Sequence, residues 1–227
     1  MFNIYNSMSD IISAFAVGIS ETIIGHPFNT AKVLIQNKKP WFGLPIKHYY
    51  RGVKYPLVSG TFFSMMVFPI KERSYPYTNS YFLSGILAGA LVTPGMFFID
   101  TFTIKRQTNQ SVSLSMFKGC KGFQSTIIRE MVALSTYFGT YHWMRDEKKY
   151  NSFISGGVAG LTNWTISYPL DVIRSRQIAQ RITIKEAFKM GNFWKGFSIA
   201  ATRSVIVNAV SFTVFENVKN YIDKKVD

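Results

Sequence analysis

The chain has 227 residues, 47% of them hydrophobic and 16% aromatic, and a formal net charge of +14. That length suits one large domain or two small ones, and the basic, aromatic-rich balance leaves both a nucleic-acid binder and a membrane protein open. A single cysteine, Cys120, excludes an internal disulfide framework, and His26, His48 and His142 show no ligand spacing with it, so neither a metal nor a cofactor is expected.

Taken in chain order, apolar stretches run near Ile11 to Ile24, Tyr55 to Ile70, Tyr81 to Ile99, Phe123 to Trp143, Phe153 to Leu170 and Phe197 to Phe215. Each approaches or reaches the roughly 20 residues that cross a bilayer. A nucleic-acid-binding domain keeps its apolar residues in short core elements, so these stretches predict six membrane helices and no nucleic-acid polymer as partner. The first ten residues hold no Lys or Arg, hence no secretory leader or Arg-rich transit peptide is visible, and any targeting signal is expected to be internal.

The stretches repeat. Pro27, Phe98 and Pro169 stand 71 residues apart, as do Ala14, Gly85 and Gly156, and Gly18, Gly89 and Gly160. Asn29, Asp100 and Asp171 form a further column, and Lys32, Thr103 and Arg174 another. Later in each unit come Tyr50-Arg51-Gly52, Cys120-Lys121-Gly122 and Trp194-Lys195-Gly196, followed at fixed offsets by Ser59, Arg129 and Arg203 and then by Lys71-Glu72, Tyr141-His142 and Phe215-Glu216. A fixed period of this kind marks a repeated supersecondary unit, here three two-helix units over about 8–76, 77–148 and 149–227 of a single domain.

These residues carry a resemblance. "GHPFNTAKVLIQ", "MFFIDTFTIKRQ" and "SYPLDVIRSRQI", with the basic-glycine triplets, resemble the signature of the mitochondrial carrier (solute carrier 25) family over nearly the whole chain. The resemblance implies an all-α membrane protein: a monomeric pseudo-three-fold bundle of six transmembrane helices with short matrix helices, working by alternating access without enzyme activity. The expected location is the mitochondrial inner membrane, that of a host if the chain is virus-encoded. Only about thirteen residues separate the first gate motif from its triplet, so the matrix helices are expected to be trimmed.

The resemblance also implies roles. A matrix gate pairs Asp100 with Arg174 and Asp171 with Lys32, while Asn29 and Thr103 have lost acid and base together, so no charge is left unpaired there. Gln36 and Gln107 match the glutamines that brace such pairs, and Ile178 does not. A cytoplasmic gate pairs Glu72 with Arg145, Glu216 with Tyr75, and His142 with Lys219; a solvated face is the alternative for the charged members. Arg51-Gly52, Lys121-Gly122 and Lys195-Gly196, each a base and an open backbone at a helix start, match cardiolipin sites, a simple turn being the bland reading. Lys38 to Lys54, Lys105 to Lys121 and Arg174 to Lys195 hold fifteen Lys or Arg against Glu186 alone, which assigns that side to the matrix.

Ionisable residues left at membrane depth are expensive unless paired or cavity-facing. They are Glu21, Arg129, Glu130 and Arg203, with Ser59 and Gly60 at the matching place on the second long helix. An arginine fork suits carboxylate or phosphate and a glutamate suits an ammonium group. The Arg-acid doublet resembles the carnitine, ornithine and amino-acid branch, which implies a small carboxylate or zwitterion as substrate. A nucleotide or deoxynucleotide held by Arg129, Arg203 and Lys32 stays open, as does a degenerate carrier serving as receptor or scaffold.

Overall fold

The computed structural model describes residues 8–113, 117 and 119–226. Among these there is no strand. Six long helices carry the chain: α1 (Met8–Gln36), α3 (Lys54–Thr78), α4 (Tyr81–Gln107), α5 (Phe123–His142), α6 (Ser152–Gln180) and α8 (Phe197–Val226). Two short ones, α2 (Ile46–Tyr49) and α7 (Ile184–Lys189), sit in the connections at the Lys-rich end. α4 packs along both α3 and α5, α5 along α6, and α1 along α8, with a narrower α1–α3 contact.

Local chemistry sets the ends. The Asn151 side chain accepts from the Ile154 amide at 2.9 Å to start α6, and Thr183 with Glu186 forms a reciprocal cap on α7. Hydrogen bonds from the Thr183 amide and then its hydroxyl hold the Glu186 carboxyl below the usual glutamate range. Pro27, Pro94 and Pro169 lie inside α1, α4 and α6 without ending them, and α3 contains Pro69 and Pro76. Such helices persist where neighbours cover the freed carbonyls.

The polarity is inverted relative to a water-soluble bundle. Lys32, Gln36, Glu130, Asp171, Arg174 and Arg176 are buried. Apolar side chains line the outside at helical spacing: Phe15, Ile19 and Ile23 on α1, and Leu83, Leu87, Leu91 and Phe98 on α4. Of the six stretches predicted to span a bilayer, only α4 is apolar enough by length and hydropathy among the described residues. The other long helices depart from that expectation for a physical reason visible in α6: Asp171, Arg174 and Arg176 face inward and lower the mean hydropathy without touching the outer surface.

The glycine columns do not behave alike. A Cβ on Gly85 would lie 2.5 Å from Ser135 Cα, and one on Gly89 2.6 Å from the Met131 amide nitrogen, so this pair seats α4 directly on the α5 backbone. Gly18, Gly156 and Gly160 have open space instead, and the Ala14 side chain lies outside the described residues.

Candidate substrate cavity and gates

At the Lys-rich end the ends of α1, α4 and α6 are tied together. The core there is Val33, Phe97, Ile104, Ile178 and Ala179. Around it Asn37 donates to Ser175 Oγ at 3.0 Å, Lys39 Nζ to the Thr108 carbonyl at 2.7 Å, and Lys105 Nζ to the Ala179 carbonyl at 3.0 Å. Arg176, fully buried, donates to the carbonyls of Gln36, Ala187, Gly191 and Asn192, clamping the α7 turn and the end of α1 to α6. Lys105 stands 71 residues before Arg176 and makes the equivalent inter-helix bond. Neither was singled out by the sequence analysis, although the period would have aligned them.

One turn inside this layer lies an ion network. Lys32 Nζ is 2.9 Å from Asp171 Oδ2, Arg174 is 2.5 Å from Asp100 and 3.2 Å from Asp171, and Gln36 Nε2 donates to Asp171 at 3.0 Å. The structure thus places Asp100 against Arg174, and Asp171 against Lys32 with Gln36 as brace. Among the described residues no hydrogen bond joins Asn29 to Thr103, whose hydroxyl donates to its own Ile99 carbonyl at 2.8 Å. Gln107 differs from the expectation: its buried Nε2 has no partner. Gln36 lies four residues after Lys32 and Gln107 four after Thr103, so Gln107 flanks the link that has lost its acid.

Arg129 and Glu130 join the same network. Arg129 is 2.6 Å from Glu130 and its Nε 4.0 Å from Asp171, while Glu130 is 3.5 Å from Arg174. The Arg129 guanidinium also lies over the Trp164 ring, 5.8 Å from its centre. Arg203 rests on α1, where a Cβ on Gly25 would meet its Nε at 2.8 Å, and that buried Nε has no hydrogen-bond partner. Glu21 accepts from Ser211 Oγ at 2.6 Å. Gly60 is exposed with open space around it, and the Ser59 side chain lies outside the described residues.

The opposite end departs from the expected pairing. Glu72 bonds the adjacent Lys71 at 2.6 Å and makes no ion pair with Arg145. That pairing is one the family resemblance implies, and Arg145 lies within a wider i→i+5 turn over Trp143–Glu147. His142 meets Lys71 at 3.4 Å and Asp146 at 3.1 Å, and stacks on Tyr81, which in turn stacks on Tyr75. The side chains of Glu216 and Lys219 lie outside the described residues.

All three triplet glycines adopt left-handed backbone: φ is +83° at Gly52, +92° at Gly122 and +88° at Gly196. Only glycine takes this conformation without steric cost. The turn before α5 opens a cavity of about 580 Å³ lined by Cys120, Lys121, Gly122, Gln177, Thr183 and Lys185, and a smaller one near Gly52 includes Lys54 and Arg106. Gly122→Ala is expected to destabilise by about 1–2 kcal/mol from backbone strain alone. Its Cβ would also press on Ile178 Cγ1 at 2.7 Å. Thermal unfolding in detergent reads the loss; an unchanged midpoint contradicts the strain.

Residues 145–226 match the family described as "Mitochondrial carrier protein". The chain is 24% identical to a mitochondrial arginine transporter of Arabidopsis thaliana, over 88% of this chain and 86% of that protein. It is 23% identical to a mitochondrial basic amino acids transporter of Rattus norvegicus, over 96% and 91%. It is 26% identical to the mitochondrial carnitine/acylcarnitine carrier protein of Mus musculus, over 91% of each. The family match thus lies in the last third, and the similarity to mitochondrial carriers extends along nearly the whole length.

Proposed function

We propose that the chain is a monomeric, multi-pass carrier of the mitochondrial inner membrane that exchanges a small carboxylate-bearing zwitterion, of amino-acid or acylcarnitine type, by alternating access. Its six long helices span the bilayer as three two-helix repeats, with the Lys-rich end in the matrix. The outward apolar stripes and buried charges support the membrane placement. The network of Asp100, Arg174, Asp171 and Lys32 is the closed matrix gate, and Glu72 and Arg145, which do not pair with each other, belong to the open cytoplasmic side of the same state. Phosphate oxygens of cardiolipin suit the helix starts at Gly52, Gly122 and Gly196, where Arg51, Lys121 and Lys195 add charge.

The observation that carries the substrate class is the buried Arg129–Glu130 doublet, which offers a fork for a carboxylate beside an acceptor for a cation. Arg203, with a free Nε, supplies a second anion contact, and Glu21 a second cation contact. The relatives named for arginine, basic amino acids and acylcarnitine support the same class.

Reconstituted liposomes loaded with arginine, ornithine, acylcarnitine, ATP or dATP test the reading. Uptake of at least one zwitterion is expected, falling about 30-fold or more in Arg129→Ala or Arg203→Ala, since losing one partner of a buried charge contact costs about 2 kcal/mol or more. Exchange of the nucleotides alone would move the assignment to phosphate, and no exchange of any solute would leave a scaffold.

A further inference from the structure

We infer that the Arg129–Glu130 doublet is itself a bar of the matrix gate, standing in for the link lost between Asn29 and Thr103. The inference rests on the proposed carrier function and adds to it a second role for the doublet, so that ligand binding and gate release act on the same atoms.

The vacancy is visible from both sides. Thr103 turns its hydroxyl back to its own helix, and the Gln107 amide beside it has no acceptor. A gate built only from repeated positions therefore has two links, Lys32–Asp171 and Arg174–Asp100. Glu130 reaches Arg174 at 3.5 Å and Arg129 reaches Asp171 at 4.0 Å, which connects α5 to both acidic and basic members on α6. The six charges balance: Lys32, Arg129 and Arg174 against Asp100, Glu130 and Asp171. Lys32, Glu130, Asp171 and Arg174 are buried, where charge pairs are screened little, and Asp100 and Arg129 are partly exposed.

The consequence is a direct competition. A carboxylate taking Arg129 removes it from Asp171, and a cation taking Glu130 removes it from Arg174. A net-neutral zwitterion does both while leaving the balance of charge intact; a bare anion leaves Glu130 on Arg174. Only a ligand with both groups then frees the α5 bar, and differential binding to the opened state is what any ligand needs to shift the equilibrium.

The test reads gate closure rather than transport. In a Cys120→Ser background, Thr140→Cys places a thiol about three helical turns from Arg129 on the same face of α5, beyond the gate and at a half-buried position. Vesicles with the Lys-rich end outward are exposed to a membrane-impermeant maleimide, without substrate. Glu130→Gln is expected to raise the labelling rate about tenfold, the factor set by losing one charge-assisted link from a two-state equilibrium. Adding Asn29→Asp with Thr103→Lys, which rebuilds the missing link and gives Gln107 an acceptor, is expected to return labelling to the parent rate. Arg203→Ala is expected to lose uptake but keep parent labelling.

Labelling of Glu130→Gln at the parent rate, or no rescue by the rebuilt link, overturns the inference. If Glu130→Gln does not fold, Asn29→Asp with Thr103→Lys alone decides: a gate with one link too many is expected to exchange several-fold more slowly, and an unchanged rate overturns the inference. Parent labelling that rises in Glu130→Gln while no solute is exchanged would sink the transport reading and keep the gate.

Discussion

Asp171→Ala is expected to destabilise the protein by about 3–5 kcal/mol, the range for removing one partner of a buried ion pair and stranding the other. Asp171 is almost fully buried and is the acceptor for Lys32, Arg174 and Gln36, with Arg129 close by. Removing it leaves three cations facing one another with only Asp100 and Glu130 to offset them. Asp171→Asn keeps the size and an acceptor oxygen for Gln36 but not the charge, so its loss should be nearly as large. Unfolding midpoints of the detergent-solubilised protein measure both. Lys32→Ala is the milder partner, because it removes the buried cation along with its pair and strands only part of the Asp171 charge on Arg174. Equal losses in Asp171→Ala and Lys32→Ala would show that the network is not organised around Asp171.

How much of this was legible in the sequence depends on whether a contact follows the repeat. Asp100, Arg174, Asp171 and Lys32 occupy repeated positions, and the family resemblance implies that the acid of one repeat meets the base of the next. The triplet glycines are legible for a related reason: a left-handed residue before a helix admits glycine best, so each repeat shows one. The doublet's reach to Asp171 and Arg174 was not legible. It depends on long side chains crossing between helices, and Glu130 aligns with Gly60 and Ser204, so the acid forms no column. Arg176 was hidden differently, since its acceptors are backbone carbonyls and leave no mark in residue type. The Glu72–Arg145 pair, implied by the resemblance alone, is not formed here, and the wider turn that holds Arg145 leaves no mark in residue type.

Glycines from one column are expected to give opposite signs. Gly85→Ala forces a methyl to within 2.5 Å of Ser135 Cα and 2.6 Å of the Leu134 carbonyl oxygen, backbone atoms that no rotamer change can move. α4 and α5 must separate, and overpacking of a rigid contact costs about 1–3 kcal/mol, with Gly85→Val beyond that range. The separation would also disturb the apolar cluster of Val67, Ala88, Val92, Leu134 and Phe138 and carry Glu130, on the same helix, away from Arg174. Gly156→Ala, 71 residues later, meets nothing within 4 Å. There the helix only gains from a less flexible unfolded chain, so stability should rise by about 0.4–1 kcal/mol. Unfolding midpoints of the two variants, measured without substrate, should therefore move in opposite directions. A shift of the same sign and size in both would mean that α6 is packed through its glycines as α4 is, and that the asymmetry between the repeats is not a property of the folded chain.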